Sequence, residues 1–285
     1  MYNLKNNLMR AAVNLSLLIL SFICFLSCDK NDDNLKLTKE NGKPSMIQKE
    51  DGSKVYFYYD GDKLSEIKEI KGSVASYEYE NDDLVSVSYA PEDKAVADGH
   101  AFTKFQKMDN NKIRIESSGE PSFDVYKWEI DVFGGLPMRI TELGFYSSDP
   151  DKAESPLQEG LYYGDFAYDP TMESLLKLTI YNKETNEKVA TYTYEYDDKP
   201  GAISKIDLPL WYYAYRAYRN RAYFGDYNKL FDCHVNNILG VTIDEVAPED
   251  DAVTEVVWTY DYNDENYPVT QTNNRFDLSQ IRITY

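Results

Sequence analysis

The residues best equipped for chemistry fall in one stretch, Leu208 to Phe231 (LPLWYYAYRAYRNRAYFGDYNKLF), where nine aromatics sit with Arg216, Arg219, Arg221 and Lys229. No acid occurs from Leu208 to Gly225, in a chain whose 49 acidic residues far outnumber its 30 Lys and Arg. Trp211, Tyr215, Tyr218 and Ala222 recur at helical spacing, with Tyr212, Arg216 and Arg219 on an adjoining stripe. Two readings fit that pattern. In the first, Trp211, Tyr212, Tyr215, Arg216, Tyr218 and Arg219 form a ligand platform, because aromatic faces stack on sugar rings and guanidinium groups bind carboxylates or sulfates. In the second, the segment is a helix or lid packing its aromatic face across the opening of a sheet.

Catalytic chemistry has little to build on. The chain lacks a Gly-x-Ser-x-Gly elbow, a His-Glu-x-x-His, a phosphate-cradling glycine loop and a Cys-x-x-Cys. Its two histidines are His100 and His234. Cys233 and His234 are adjacent, but neighbours on a strand point to opposite faces and two ligands do not complete a zinc site. Glycoside hydrolysis needs one carboxylate pair at a set separation, and the many acids single out none. Asp261, Asn263, Asp264 and Glu265 offer hard oxygens to calcium, yet without the glycine and distal glutamate of a calcium loop they read as a hairpin end. The residues thus imply a non-enzymatic protein with no cofactor and no metal.

The elements carrying these residues are strands. Tyr126, Trp128, Ile130 and Val132 alternate with Val125, Lys127, Glu129 and Asp131. Ala190, Tyr192, Tyr194 and Tyr196 face away from Thr191, Thr193 and Glu195, and Val256, Trp258, Tyr260 and Tyr262 from Val257, Thr259 and Asp261. One aromatic and one polar face per strand marks antiparallel sheet wetted on one side. Turn pairs such as Asp51-Gly52, Gly61-Asp62, Asn110-Asn111 and Gly134-Gly135 separate the runs at hairpin spacing. About fourteen to sixteen strands are expected by this pattern, with successive neighbours pairing because short connections exclude parallel crossovers. The fold class is all-β: an antiparallel meander curled into an open or partly closed barrel, with one short helical or lid segment near residues 208–231.

A loose unit recurs, in which an aromatic strand ends in Tyr-Asp and apolar residues follow the turn. Tyr59-Asp60 with Leu64 and Ile67 shows it, and Tyr79-Glu80 with Leu84 and Val87 repeats it. Looser copies include Tyr168-Asp169 with Leu175 and Tyr196-Asp197 with Ile203. The unit resembles the tyrosine-aspartate repeat of Rhs-type shells and serves here as a hairpin signature.

The N-terminus carries a different chemistry. Lys5 and Arg10 precede the apolar run Leu15 to Leu26, and Ser27-Cys28 is followed by Asp29-Lys30-Asn31-Asp32-Asp33. A charged region, a run too short to span a bilayer and a small residue before the cut make an export signal. Phe25-Leu26-Ser27-Cys28 resembles a lipobox with Phe in place of the usual Leu, so the Cys28 thiol is the expected site of acylation (palmitate) and of anchoring to the membrane. The expected organisation is a signal peptide at 1–27, an acidic tether at 28–44 and a single β domain at 45–285. Cleavage removes two positive charges from a net −19. Nucleic acid, which requires a basic face, is excluded as a partner. With Cys28 acylated and Cys24 cleaved away, Cys233 has no partner for an intrachain disulfide, so the fold must rest on its core.

The lipobox and its acidic run, the hairpins Tyr59 to Ile67 and Tyr194 to Ile206, the pair Asn236-Asn237 and the closing stretch Thr259 to Pro268 resemble a family of Bacteroides-type lipoproteins. That family is classed as a domain of unknown function with a porin-like fold. The resemblance implies an acylated envelope protein with a curled antiparallel sheet and brings no catalytic residues. The acidic run after Cys28 also resembles a surface-export signal, which implies an outer-membrane protein facing the cell exterior. The expected role is binding of an envelope or extracellular ligand such as a glycan. The alternatives are an accessory lipoprotein contacting another membrane protein and, third, a glycoside hydrolase. Ile281, Ile283 and Tyr285 alternate to a terminal aromatic as membrane-barrel strands do, but the Tyr-rich faces favour a soluble, tethered sheet. The Cys28→Ser protein should take up no radiolabelled palmitate, and label entering it would place the acylated residue elsewhere.

Overall fold

The computed structural model describes residues 42–70, 72–91, 101–118, 124–147, 157–170, 174–221, 227–232, 235–246, 253–274 and 280–285. The first nine strands are β1 (Met46–Lys49), β2 (Lys54–Asp60), β3 (Lys63–Glu69), β4 (Ser73–Glu80), β5 (Asp83–Pro91), β6 (Phe102–Met108), β7 (Lys112–Ser118), β8 (Asp124–Phe133) and β9 (Leu136–Ser147). They are followed by β10 (Gln158–Glu159), β11 (Tyr162–Tyr168), β12 (Leu175–Asn182) and β13 (Lys188–Pro200), and then by helix α1 (Leu210–Arg219) and a 3-10 turn (Tyr227–Phe231). The last strands are β14 (Asn236–Glu245), β15 (Glu255–Tyr262), β16 (Pro268–Asn273) and β17 (Gln280–Thr284).

Each strand pairs antiparallel with its sequence neighbours, as short turns require. The two-residue β10 lies in line with β11, since Gln158 and Glu159 pair with Phe145 and Gly144 while Tyr163 to Asp165 pair with Thr141 to Arg139 of the same β9. The curled antiparallel meander expected from the sequence is carried through to full closure. In β1, Ile47 pairs with Val55 of β2 on one side and Ile283 of β17 on the other, and the meander closes into a 16-strand barrel. Closure gives the first and last strands partners, which removes the unpaired edges of an open sheet.

The alternation points inward with its apolar half. Phe57, Leu64, Ile67, Val87, Ile115, Trp128, Ile130, Leu178, Tyr194, Val241, Trp258 and Ile283 belong to one core that also contains the buried residues of α1. The outer face is a mesh of cross-strand ion pairs: Lys49 Nζ to Glu69 at 2.6 Å, Lys127 to Glu116 at 2.8 Å, Arg139 to Asp165 at 2.6 Å and Lys188 to Asp244 at 2.7 Å. A membrane-spanning barrel needs an outward apolar band roughly 25 Å tall and is destabilised by about 2–4 kcal/mol for each Lys or Arg near the bilayer centre. The described wall has the opposite polarity, so it faces water.

Turn chemistry and the Tyr-Asp unit organise one end of the barrel. Asn81, Asp82 and Asn111 adopt φ of 49°, 71° and 59°, the left-handed conformation that Asn and Asp tolerate best among residues with a side chain. The tyrosines near this end turn inward and clasp the preceding strand. Tyr59 Oη donates to Pro44 O at 2.7 Å, Tyr79 to Leu64 O at 3.0 Å, Tyr196 to Leu175 O at 2.7 Å, Tyr260 to Ile238 O at 2.8 Å and Tyr285 to Pro268 O at 3.0 Å. Leu64 and Leu175 are the apolar residues of the preceding Tyr-Asp units, so the repeat is a chain of clasps linking one hairpin to the next. The chain joins the barrel at this same end, where Lys43 Nζ donates to Gly61 O at 3.2 Å and pairs with Asp62 at 2.8 Å. Packing already includes Gly42 to Ser45, a few residues ahead of the expected boundary.

This end is also sealed. The connection from β13 to β14 turns into the ring, and its first residues Ala202, Ile203, Ile206 and Leu208 are buried. Asp197 and the pair Asn236-Asn237 hold its neck. Asp197 Oδ1 accepts from Asn237 N at 3.0 Å, and Asn237 Nδ2 donates to Asp197 Oδ2 at 2.9 Å and Pro200 O at 3.1 Å. Asn236 Nδ2 donates to Lys199 O at 3.1 Å. The acyl-free chain 34–285 should therefore fold in plain buffer as a β-rich monomer with a cooperative loss of near-ultraviolet Tyr and Trp signal on heating. A requirement for detergent micelles would contradict the polarity of the wall.

Candidate functional site

Helix α1 runs inside the barrel. It begins after Pro209, whose φ of −70° and ψ of 147° set an extended residue ahead of the first turn, and ends at Asn220. The sequence suggests one aromatic face, but Trp211, Tyr212, Tyr213, Ala214, Tyr215, Ala217 and Tyr218 are all buried. A helix apolar around its circumference belongs in an interior. Wall residues from many strands receive it. Phe105 of β6 lies 4.8 Å from Trp211, Tyr77 of β4 lies 6.1 Å from Tyr212 with their hydroxyls 3.2 Å apart, and Trp128 of β8 lies 5.7 Å from Tyr215. On β11, a Cβ at Gly164 would lie 3.0 Å from the Tyr218 ring, tighter than side-chain contacts ordinarily are, so the helix packs closely on the wall here.

The platform expected from the sequence takes a different form. Trp211, Tyr212, Tyr215 and Tyr218 are 7%, 1%, 5% and 1% exposed. Their rings are the contents of the barrel and present no face to a ligand, because the wide lumen must be filled by something. Nor does the segment cap the opening as a lid: it fills the lumen. Arg216 is half-buried, with its guanidinium 5.7 Å from the Phe231 ring. Arg219 alone of the six reaches the surface.

Arg219 and its neighbour Arg221 stand at the end of the barrel opposite the neck. There the Arg219 guanidinium lies 5.0 Å from the Trp128 ring centroid and 5.9 Å from that of Tyr126. Arg221 lies 4.5 Å over the Tyr218 ring and donates from Nη1 to Tyr218 O at 2.8 Å. Two cavities meet at these arginines. One, of about 220 Å³, is lined by Tyr126, Trp128, Glu142, Phe145 and Glu159 among others. The other, of about 760 Å³, is lined by Tyr162, Ile180, Asn182, Thr185, Tyr192 and Val246 among others. Tyr218 Oη donates to Glu142 Oε1 at 2.8 Å, and Tyr162 N donates to Glu142 Oε2 at 3.2 Å. Burial, with the carboxylate adding to it, pushes the Tyr218 phenol above its ordinary range and keeps it a neutral donor. The wall is tight here, since a Cβ at Gly160 would lie 2.4 Å from that of Glu142.

Other candidates resolve differently. Asn263 Oδ1 accepts from Glu265 N at 3.0 Å and Tyr267 N at 2.9 Å, which makes Asp261 to Glu265 a hairpin end. No cluster of three metal-ligating side chains occurs among the described residues. Cys28, His100, Cys233 and His234 lie outside the described residues. Glu142, Tyr162 and Tyr192 join the mouth with no sequence signal, because each reads as an ordinary member of an alternating strand.

The fold and this site define a class: a closed β-barrel whose described outer face is charged, filled from within by α1 and bearing two cavities beside Arg219 and Arg221 at one end. No family model matches the chain, and no curated protein does. Among solved structures it is similar to a porin-like protein from Bacteroides vulgatus ATCC 8482, at 13% identity and a TM-score of 0.46, covering 85% of this chain and 98% of that one. A porin-like protein from Bacteroides uniformis ATCC 8492 is similar at 12% identity and a TM-score of 0.37, covering 85% and 96%. At that distance the assignment of the barrel rests on the strand pairing of the chain itself. Trp211→Ala should cost about 3–5 kcal/mol, as truncation of a buried Trp does. A thermal melt within a degree or two of wild type would contradict the interior position of Trp211.

Proposed function

We propose that the protein is a lipid-anchored outer-membrane barrel that binds an envelope or extracellular glycan at its mouth and catalyses no reaction. The observation that carries this reading is the meeting of two cavities at Arg219 and Arg221, at one end of a barrel that is otherwise filled. Aromatic side chains, amides and hydroxyls around a concave opening are what sugar recognition uses. The Ser27-Cys28 signal supports the anchor, and the acidic run after it supports display on the cell exterior. The described chain enters the barrel at its sealed end, where Lys43 pairs with Asp62.

A second reading, an accessory lipoprotein that docks on another envelope protein, is favoured by the apolar residues beside the mouth. Leu157, Leu161 and Val246 are 54%, 60% and 62% exposed. Exposed apolar groups gathered at one place mark contact surfaces. A glycan array probed with the mature protein and with the Arg219→Ala/Arg221→Ala variant separates the two. Glycan signals lost in the variant support the first reading. An empty array, with a stoichiometric membrane protein retained in a detergent pull-down, supports the second.

A further inference from the structure

We propose that the mouth selects its ligand by a carboxylate, held between Arg219 and Arg221, so that the ligand class is an acidic oligosaccharide bearing uronic or sialic acid. This rests on the reading of the mouth as a glycan site. Both guanidinium groups lie over aromatic rings, Arg219 at 5.0 Å from the Trp128 centroid and 5.9 Å from that of Tyr126, and Arg221 at 4.5 Å from that of Tyr218. Arg221 spends one Nη1 donor on Tyr218 O at 2.8 Å, and the coplanar donors that remain on each group match a carboxylate in bidentate geometry. Neither arginine forms an ion pair among the described residues, although Lys43, Lys49, Lys127, Arg139 and Lys188 all do.

Four acids line the two cavities with the arginines, Glu142 and Glu159 in the smaller and Glu187 and Glu245 in the larger, and none forms an ion pair with either arginine among the described residues. Glu142 accepts from the Tyr218 hydroxyl and the Tyr162 amide, and Glu159 from Lys183 Nζ at 3.3 Å. The helix dipole accounts for a cation in the last turn of α1, and so for the position of Arg219. It does not account for Arg221, which lies beyond the helix and is held by its ring contact and its bond to Tyr218 O. With a net charge of −19 the chain repels anions over most of its surface, and two guanidinium groups without an ion-pair partner among the described residues offer an anion a local attraction at the two cavities. The larger cavity, about 760 Å³ with Tyr162, Asn182, Thr185 and Tyr192 in its lining, accommodates the sugar rings that follow the charged one.

The test is an array of uronic- and sialic-acid oligosaccharides, each printed beside its methyl ester, a sulfated neutral counterpart and the unmodified neutral sugar. It is probed with the mature wild type and with Arg219→Gln, Arg219→Lys and Arg221→Gln. Hits are followed by calorimetry, and a thermal melt is taken for every variant. The expected result is binding to at least one acidic glycan that weakens roughly tenfold or more on esterification, because a charge-assisted pair is replaced by a neutral contact. Either Gln variant should lose a similar factor at unchanged melting temperature. Arg219→Lys, which keeps the charge without the fork, should rescue only part of it. Equal binding of acid and ester, preference for the sulfated sugar, or binding of neutral glycans alone overturns the carboxylate clamp and leaves the glycan reading standing. Silence of the whole array overturns both.

Discussion

Closing the sheet creates the constraint on which the rest of the structure depends. An eight-stranded ring has an interior that wall side chains can fill, whereas a ring of sixteen or more leaves a channel. Here the wall turns its apolar faces inward, and an empty channel would leave them exposed to water or to a void, each costly. The connection between β13 and β14 meets that demand by entering the ring, running through it as α1 and returning through the 3-10 turn, where Phe231 stacks at 6.4 Å on Phe57 of the wall. The concentration of aromatics in one segment is thus a packing requirement, since Trp and Tyr carry large volumes on few rotatable bonds.

That arrangement carries polar cargo into the interior on strict terms. Lys229 and Asp232, whose side chains are 1% and 0% exposed, pair at 2.6 Å, and Lys229 Nζ also donates to Asn220 O at 2.9 Å. The pair ties the end of α1 to the returning limb. Breaking such a pair strands a charge in a dry interior, so both members are needed together. At the neck, Asp197 and Asn237 bind each other and the backbone around them, which fixes where the connection leaves the wall. The filling therefore has a defined point of departure, a defined depth and a defined end, and the end is the mouth.

The clasps of the Tyr-Asp unit and the mouth occupy opposite ends for a topological reason. Strands alternate in direction, so residues that close a strand at one end are all followed by turns at that end. The turns bearing Gly61, Asn81, Asp82, Asn111 and Gly134 and the inward tyrosines gather where the chain joins the barrel. The other end receives the turn after β12 and the ends of β9 and β14, and the arginines of α1 emerge among them. A charged outer face, an end closed by the β13–β14 connection and an opposite end bearing two cavities and the arginines are the features on which the proposed binding role rests.

Alternation in β8, β13 and β15 was enough to establish strands, and the short Asp-Gly and Asn-Asn turns were enough to make them neighbours, because both depend on contacts a few residues apart. The compositional break at Leu208 to Phe231 likewise marked the one segment that is not sheet. Which half of each alternation faces in, whether β1 meets β17, and whether an aromatic helix lies on the barrel or in it depend on contacts such as Ile47 with Ile283 or Gly164 with Tyr218. Residues that far apart in sequence are related only by ring closure. Local pattern thus determined the elements and their order, whereas the tertiary structure decided that the aromatics are core and that Arg219 and Arg221 border the cavities at one end, because filling a closed ring is a demand no single segment can express.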